Sequence, residues 1–361
     1  MSGTSADAID IAIIDTSGSD IKKVVYTNNF PLDKKLRGKI LDLYTPSHNE
    51  IDRLGEIDNE LGEALANCVN QTLTKLNLSS ENIVAIGSHG QTIRHRPSEN
   101  KCKAFTLQIG NGNILAERTG ITTITDFRRR DMACGGEGAP LAPALHRFAF
   151  ASDNVNRCVV NIGGIANITH LPTKGPVTGF DCGPGNGLMD AWINQTKGLS
   201  YDDNGAWASK GSVDSNLLKA LLSDDFVTTK PPKSTGREHF CLSWLRNKLE
   251  GLNISDNDVQ TTLLEFTAKT ITVHIEMFCA NTTELYVCGG GVRNAKLMQR
   301  LSELMPNTRV LTTDALGIAP DDVEAITFAW LAMCTMEGMS GNLPSVTGAS
   351  KEAILGAIYL A

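Results

Sequence analysis

Apolar residues recur every third or fourth position from Ile51 through Leu54, Ile57, Leu61, Leu65, Val69 and Leu73 to Leu76, which predicts one long amphipathic helix with a mostly acidic polar face. Elsewhere the apolar runs are shorter. Residues 9–15, rich in isoleucine, predict a buried strand behind the small-residue loop 1–8, and 84–88, 105–109 and 121–125 predict further strands. The runs 158–162 and 165–171 flank Gly163 and Gly164 and predict a β-hairpin with a glycine turn. Downstream, helices are expected over 256–280, 320–337 and 351–360, and strands over 284–288 and 309–311. Strands alternating with helices, several through glycine-rich junctions, predict an α/β fold whose sites lie at strand ends.

The stretch Gly179-Phe180-Asp181-Cys182-Gly183-Pro184-Gly185-Asn186-Gly187 stands out. Its glycines and proline predict a tight loop, and the lead-in from Pro176 predicts a short strand ending at the Asp181 carboxylate. The following run, from Leu188 to Asn194, has helical spacing, so free N–H groups and a dipole favouring an anion are expected at its start. On this motif alone Asp181 either caps that helix or stands as a reactive acid.

Composition narrows the classes. The 361 residues suffice for two domains with their own cores, and 41% hydrophobic with 20% charged residues is ordinary for a globular protein. A net charge of −7 argues against nucleic acid or a membrane surface as partner and leaves small molecules. Nine cysteines without a C-x-x-C pair fit a reducing compartment. The sequence shows neither a leader pattern nor an apolar run of membrane-spanning length, so a cytoplasmic location is expected.

Neither G-x-x-x-x-G-K-[ST] nor a G-x-G-x-x-G spacing occurs. Three glycine turns beside strands remain, at Gly3, at Gly163-Gly164 and at Gly289-Gly290-Gly291, and glycine lets backbone N–H groups approach phosphate closely. This arrangement resembles the actin, hexokinase and sugar-kinase ATPase superfamily. Within it, Met1-Ser2-Gly3-Thr4-Ser5, Ser88-His89-Gly90-Gln91-Thr92-Ile93-Arg94-His95, Asp126-Phe127-Arg128-Arg129-Arg130-Asp131, Asn161-Ile162-Gly163-Gly164, Phe180-Asp181-Cys182-Gly183-Pro184-Gly185-Asn186, Pro232-Lys233-Ser234-Thr235-Gly236-Arg237-Glu238 and Cys288-Gly289-Gly290-Gly291 resemble the anhydro-N-acetylmuramic acid kinases. The similarity covers nearly the whole chain.

The resemblance implies a two-lobed α/β fold with an interlobe cleft, the first lobe formed by 1–126 with a closing C-terminal helix in 349–361 and the second by 127–348. It implies an ATP-dependent carbohydrate kinase of cell-wall recycling that opens a 1,6-anhydro bridge with water while phosphorylating O6. Asp181 would be the base that deprotonates the water. Gly3, Thr4, Ser5, Ala6, Asp7, Ala8, Ile9 and Asp10 would form the ATP loop, with Asp7 and Asp10 positioning Mg²⁺ through water. Gly163 and Gly164 would make the second phosphate turn, and Gly289, Gly290 and Gly291 would flank the adenosine. Gln91 and Thr92 would meet sugar oxygens, Arg130 the lactyl carboxylate or a phosphate, and Glu324 the sugar. Arg128 and Arg129 are expected to be solvated, His89 and His95 to order a loop, and Lys233 and Arg237 are cations suited to phosphate. Homodimer formation is compatible with this picture.

Two departures from the family are visible. Relatives carry residues ahead of Met-Ser-Gly-Thr-Ser that form a strand, and without them exposed ladder groups and a looser phosphate loop are expected. Ala8 stands where the family generally has glycine, which costs about 1 kcal/mol if the position needs positive φ. Two other readings share the fold: a conformational ATPase of actin or chaperone type, and a kinase of another sugar.

Overall fold

A computed structural model describes all residues except 4, 5, 18, 19, 98–102, 237 and 238. Thr4 and Ser5 of the expected ATP loop therefore lie outside the described residues. The chain forms two compact units, 1–145 with 324–361, and 146–323. The borders expected at 126/127 and 348/349 both fall inside the first unit instead. The reason is packing: Phe127 meets the Phe328 ring, and the buried carboxylate of Asp131 accepts from Asn342 and Thr347, both at 2.7 Å. Those bonds tie both segments to the first core.

The first unit is mixed α/β. Its strands are β1 (Ala8–Ser17), β2 (Asp20–Pro31), β3 (Ile86–Gly87), β4 (Gln91–Arg96), β5 (Phe105–Ile109), β6 (Thr123–Thr125) and β12 (Ala357–Tyr359). Its helices are α1 (Lys34–Asp42), α2 (Glu50–Leu76), α3 (Gly112–Thr119), α4 (Phe127–Ala133), α12 (Val323–Met336) and α13 (Pro344–Thr347), while α5 (Ala142–Phe150) crosses the border. The long helix predicted from hydrophobic spacing is α2, and Ile57, Leu61 and Leu65 of its apolar face enter a core with Leu36, Ile40 and Ile109. The expected closing helix over 351–360 is absent. Gly356 adopts a φ of 96°, which favours glycine, and the chain then pairs Ile358 with Ile124 as the antiparallel edge strand β12.

β1 pairs with β2, and β3, β6 and β12 form a separate three-stranded sheet. A cavity of about 450 Å³ is lined by 9–16 of β1, 82–88, α2 and α12. Met1 exchanges two backbone bonds with Asp10, each 2.8 Å. Ala8 opens β1 opposite Pro31 in extended backbone, and the left-handed residue of this loop is Ala6, at φ 47°. The cost considered for alanine at position 8 therefore does not arise there.

The second unit has one five-stranded sheet in the order β11 (Arg309–Thr312), β10 (Glu284–Cys288), β7 (Arg157–Ile162), β8 (Ile165–Leu171) and β9 (Thr178–Pro184). The first three strands run parallel and the last two antiparallel, so the sheet is mixed. Helices α6 (Gly187–Lys197), α7 (Ser215–Leu222), α8 (Asp225–Thr228), α9 (Leu242–Leu249), α10 (Asp256–Phe278) and α11 (Ala295–Leu304) flank it. The core joins Val160, Ile168 and Phe180 of the sheet to Leu263 and Ile271 of α10. Among the described residues no helix is long and apolar enough to cross a membrane.

Candidate active site

In the second unit the site gathers where β7, β9 and β10 end. Gly163 and Gly164 form the β7–β8 turn, and their carbonyls accept the N–H groups of Asn186 (2.7 Å), Gly185 (3.1 Å) and Gly187 (3.1 Å). Of the amides at the start of α6, that of Gly187 is thus taken by the neighbouring turn. The close approach also explains the glycines: a Cβ on Gly185 would overlap the Gly163 carbonyl oxygen, and one on Gly187 that of Gly164. Gly289, at φ 77°, donates its N–H to Pro320 (3.0 Å), and both it and Gly291 lie so close to Asn161 and Ile162 that a Cβ would clash. Both glycine clusters thus converge on the end of β7, with the Asn186 amide reaching the Ile162 carbonyl at 3.4 Å.

Asp181 lies inside β9 rather than at a strand tip. Its partner is Asn167, and Cys182 is the extra residue of a bulge between that pair and Gly183–Ala166. A bulge re-aims side chains along a strand. β9 is the sheet's edge, and its open side is met by the segment 233–235. Asp181 N–H donates to the Lys233 carbonyl at 3.2 Å, and its Oδ2 accepts both the Ser234 hydroxyl and the Thr235 N–H at 2.9 Å. The half-buried carboxylate is held from this loop and does not cap α6, where Asn186 occupies the cap position. Sequence reasoning passed over Ser234 and Thr235 because their target is more than fifty residues upstream. Lys233 turns its ammonium to protein acceptors: the Phe226 carbonyl (2.7 Å), the Val227 carbonyl (3.4 Å) and His274 Nε2 (2.6 Å).

In the first unit, Gln91 starts β4 and is buried, donating to the Tyr44 hydroxyl at 2.8 Å while its buried Oε1 has no partner within the protein. Thr92 accepts from Gln108 at 3.0 Å. Arg130 is exposed on α4, and the arginine drawn inward is Arg128, expected to be solvated, which donates to His89 Nε2 (3.0 Å) and the Gly138 carbonyl (2.9 Å). Burial pushes the Arg128 guanidinium down to about 10, opposed by the charge of Glu324 in the first turn of α12. Burial first and Arg128 second hold His89 well below the usual imidazole range, so it accepts as a neutral ring. The helix registers of α4 and α12 set which arginine turns inward, and the charged triplet alone does not reveal them.

The remaining loop residues frame the chain start. Ala6 N–H closes a turn on the Gly3 carbonyl (3.0 Å), Asp7 is exposed while its carbonyl accepts from Leu32 (2.9 Å), and Ile9 is buried. Asp10 Oδ1 accepts from Asn29 at 2.6 Å. Among the described residues no three acids, histidines or cysteines come together as a metal cage.

The family profile described as anhydro-N-acetylmuramic acid kinase matches residues 1–361. A protein of that name from Pseudomonas fluorescens (strain Pf0-1) is 49% identical over 360 residues, covering 99% of this chain and 98% of its own. Another, from Nitrosomonas europaea, is 48% identical over 359 residues, covering 99% and 98%. Among solved structures, the activator of the 2-hydroxyisocaproyl-CoA dehydratase from Clostridium difficile with bound ADPNP is similar at 14% identity and a TM-score of 0.37, covering 64% of this chain and 85% of that one. With a match that runs from the first residue to the last and near-half identity to such relatives, the chain belongs to the anhydro-N-acetylmuramic acid kinase family.

Proposed function

We propose that Asp181 is the general base of a reaction in which ATP, water and anhydro-N-acetylmuramic acid give N-acetylmuramic acid 6-phosphate and ADP, as a step of peptidoglycan recycling. As a member of its family the chain is a carbohydrate kinase that uses ATP. Asp181 takes a proton from water, the water oxygen bonds to the anomeric carbon, and the bond from that carbon to O6 breaks. O6 then bonds to the γ-phosphorus as the bridging bond to ADP breaks. A positioned base of this kind contributes roughly 10²- to 10⁴-fold in rate.

The observation that carries the reading is the clamped carboxylate of Asp181, with Oδ2 fixed by two donors on a bulged edge strand that leads into the Gly163–Gly164 turn. A carboxylate so oriented presents a defined lone pair to a water. We assign the ATP loop to Gly3–Asp10, the second phosphate turn to Gly163 and Gly164, and the adenosine contact to Gly289, Gly290 and Gly291. Gln91 suits a sugar hydroxyl, because its buried Oε1 gains the donor it otherwise lacks. Thr92, Glu324 and Arg130 complete the sugar contacts. Two hard carboxylates, Asp7 and Asp10, fit Mg²⁺ held mainly by water and phosphate, and no all-protein cage is needed. When bound, Mg²⁺ would neutralise phosphate charge. The test is ADP release with anhydro-N-acetylmuramic acid, with N-acetylglucosamine, with glucose and with no sugar. Release confined to the anhydro sugar is expected. Sugar-independent release with nucleotide-dependent assembly would overturn the reading in favour of a conformational ATPase.

A further inference from the structure

The reaction leaves Lys233, whose backbone carbonyl takes the Asp181 N–H, without a task. Its ammonium has three hydrogens, and three acceptors surround it: the carbonyls of Phe226 and Val227 in the short helix α8, and His274 Nε2 on α10. His274 Nδ1 is bonded to the Thr270 carbonyl and so carries the ring proton, leaving Nε2 as an acceptor. The ammonium also lies over the Phe226 ring, 4.5 Å from its centroid. All of these partners are neutral, so the cation is satisfied by dipoles while its backbone carbonyl takes the Asp181 N–H. One residue on, Ser234 and Thr235 deliver both donors to Oδ2. A single side chain thus fastens α8 and α10 to the loop that orients the carboxylate.

We propose that Lys233 is a positioning residue for the kinase reaction: its ammonium pins the 233–235 loop against α8 and α10, and through that loop sets the aim of Asp181. The proposal rests on Asp181 being the base. Displacing the carboxylate by about 1 Å is worth roughly 10²-fold in rate, while sugar and nucleotide contacts made elsewhere stay as they are. The loss therefore falls on kcat and not on KM. A pH signature goes with it. Burial lowers the Lys233 ammonium to about 8, opposed by the charge of Asp181 on β9, and buried His274, the titratable group facing it from α10, is held below its usual range. Above pH 8 one of the three donors is lost, the loop loosens, and kcat falls. An arginine in its place stays charged throughout.

The experiment compares full-length Lys233→Met, Lys233→Arg, Ser234→Ala and Asp181→Asn with the parent, measuring kcat and both KM values from pH 6 to 9.5. Expected are a kcat for Lys233→Met lowered about 10- to 100-fold with KM values within about threefold, an alkaline limb near pH 8 in the parent that Lys233→Arg shifts upward or abolishes, and a Lys233→Met/Ser234→Ala double variant little worse than the worse single one. Should Lys233→Met fail to fold, Lys233→Arg and Ser234→Ala decide through the limb and the kcat loss. A folded Lys233→Met with kcat within twofold of the parent, or a parent alkaline limb that Lys233→Arg leaves in place, overturns the proposal. Asp181→Asn separates the layers: if it is inactive while Lys233→Met is not, the positioning role alone falls, and if it turns over normally the base assignment falls first.

Discussion

Arg128 and Arg130 stand two residues apart on α4, which turns them to opposite faces of the helix, and their fates differ. Arg128 donates to His89 and Gly138, so Arg128→Met strands a buried imidazole nitrogen and a carbonyl, and is expected to lower unfolding free energy by about 1.5–3 kcal/mol in urea titrations. Arg130 is exposed, and Arg130→Ala should change stability by under about 0.5 kcal/mol, with its effect appearing in the KM for the sugar. From sequence, the triplet of arginines was legible as chemistry but not as geometry, because which arginine points inward depends on how α4 packs against Phe328. Asp181 was legible only in part, since it was expected at a strand tip and lies inside β9. Its glycine and proline neighbours mark the backbone irregularity directly, and the structure converts that mark into a bulge on β9. Its orienting donors were not, since Ser234 and Thr235 approach from a segment that carries no periodic signal of its own.

Elements set by local pattern came through the sequence well. The spacing from Ile51 to Leu76 gives α2 to within a residue, and the β7–β8 hairpin sits on its glycine turn as expected. Elements decided by distant pairing did not. The chain end has enough apolar residues for a short helix, yet backbone pairing with β6 wins, and Gly356 supplies the conformation that admits it. At the start of α6 the carbonyls of Gly163 and Gly164, more than twenty residues upstream, take the amides of Gly185, Asn186 and Gly187, a pairing that no local pattern marks. That junction gives a sharp prediction. Gly185→Ala sets a methyl group against the Gly163 carbonyl oxygen, so the turn must shift. A loss of about 1–3 kcal/mol in stability and a raised KM for ATP are expected, measured by denaturant titration and steady-state kinetics.

At the scale of the whole molecule, the two units carry separate cores, and the second has a built-in acid sensitivity. His146 is buried, bonded to Thr169 at 2.9 Å, and burial pushes its imidazole down to about 3. A base whose folded value lies below its unfolded value stabilises the fold fully above the ordinary 6.5, and that contribution disappears as pH falls through the window from 6.5 to about 3. His146→Met, which cannot titrate, should flatten the loss of stability across that window by on the order of a few kcal/mol, checked by urea titrations at pH 7, 5 and 4. The unit borders were the least legible feature, since 127–145 and 324–348 join the first unit through packing and buried bonds between distant segments that no local pattern marks.

The most direct test of the account is single-turnover phosphorylation of anhydro-N-acetylmuramic acid by Asp181→Asn, with folding verified by circular dichroism and ATP affinity. An asparagine keeps the shape and both donors' target but removes the proton acceptor, so a loss of at least about 100-fold in the chemical step with ATP binding retained is expected. Phosphorylation at a rate near that of the parent chain would contradict it.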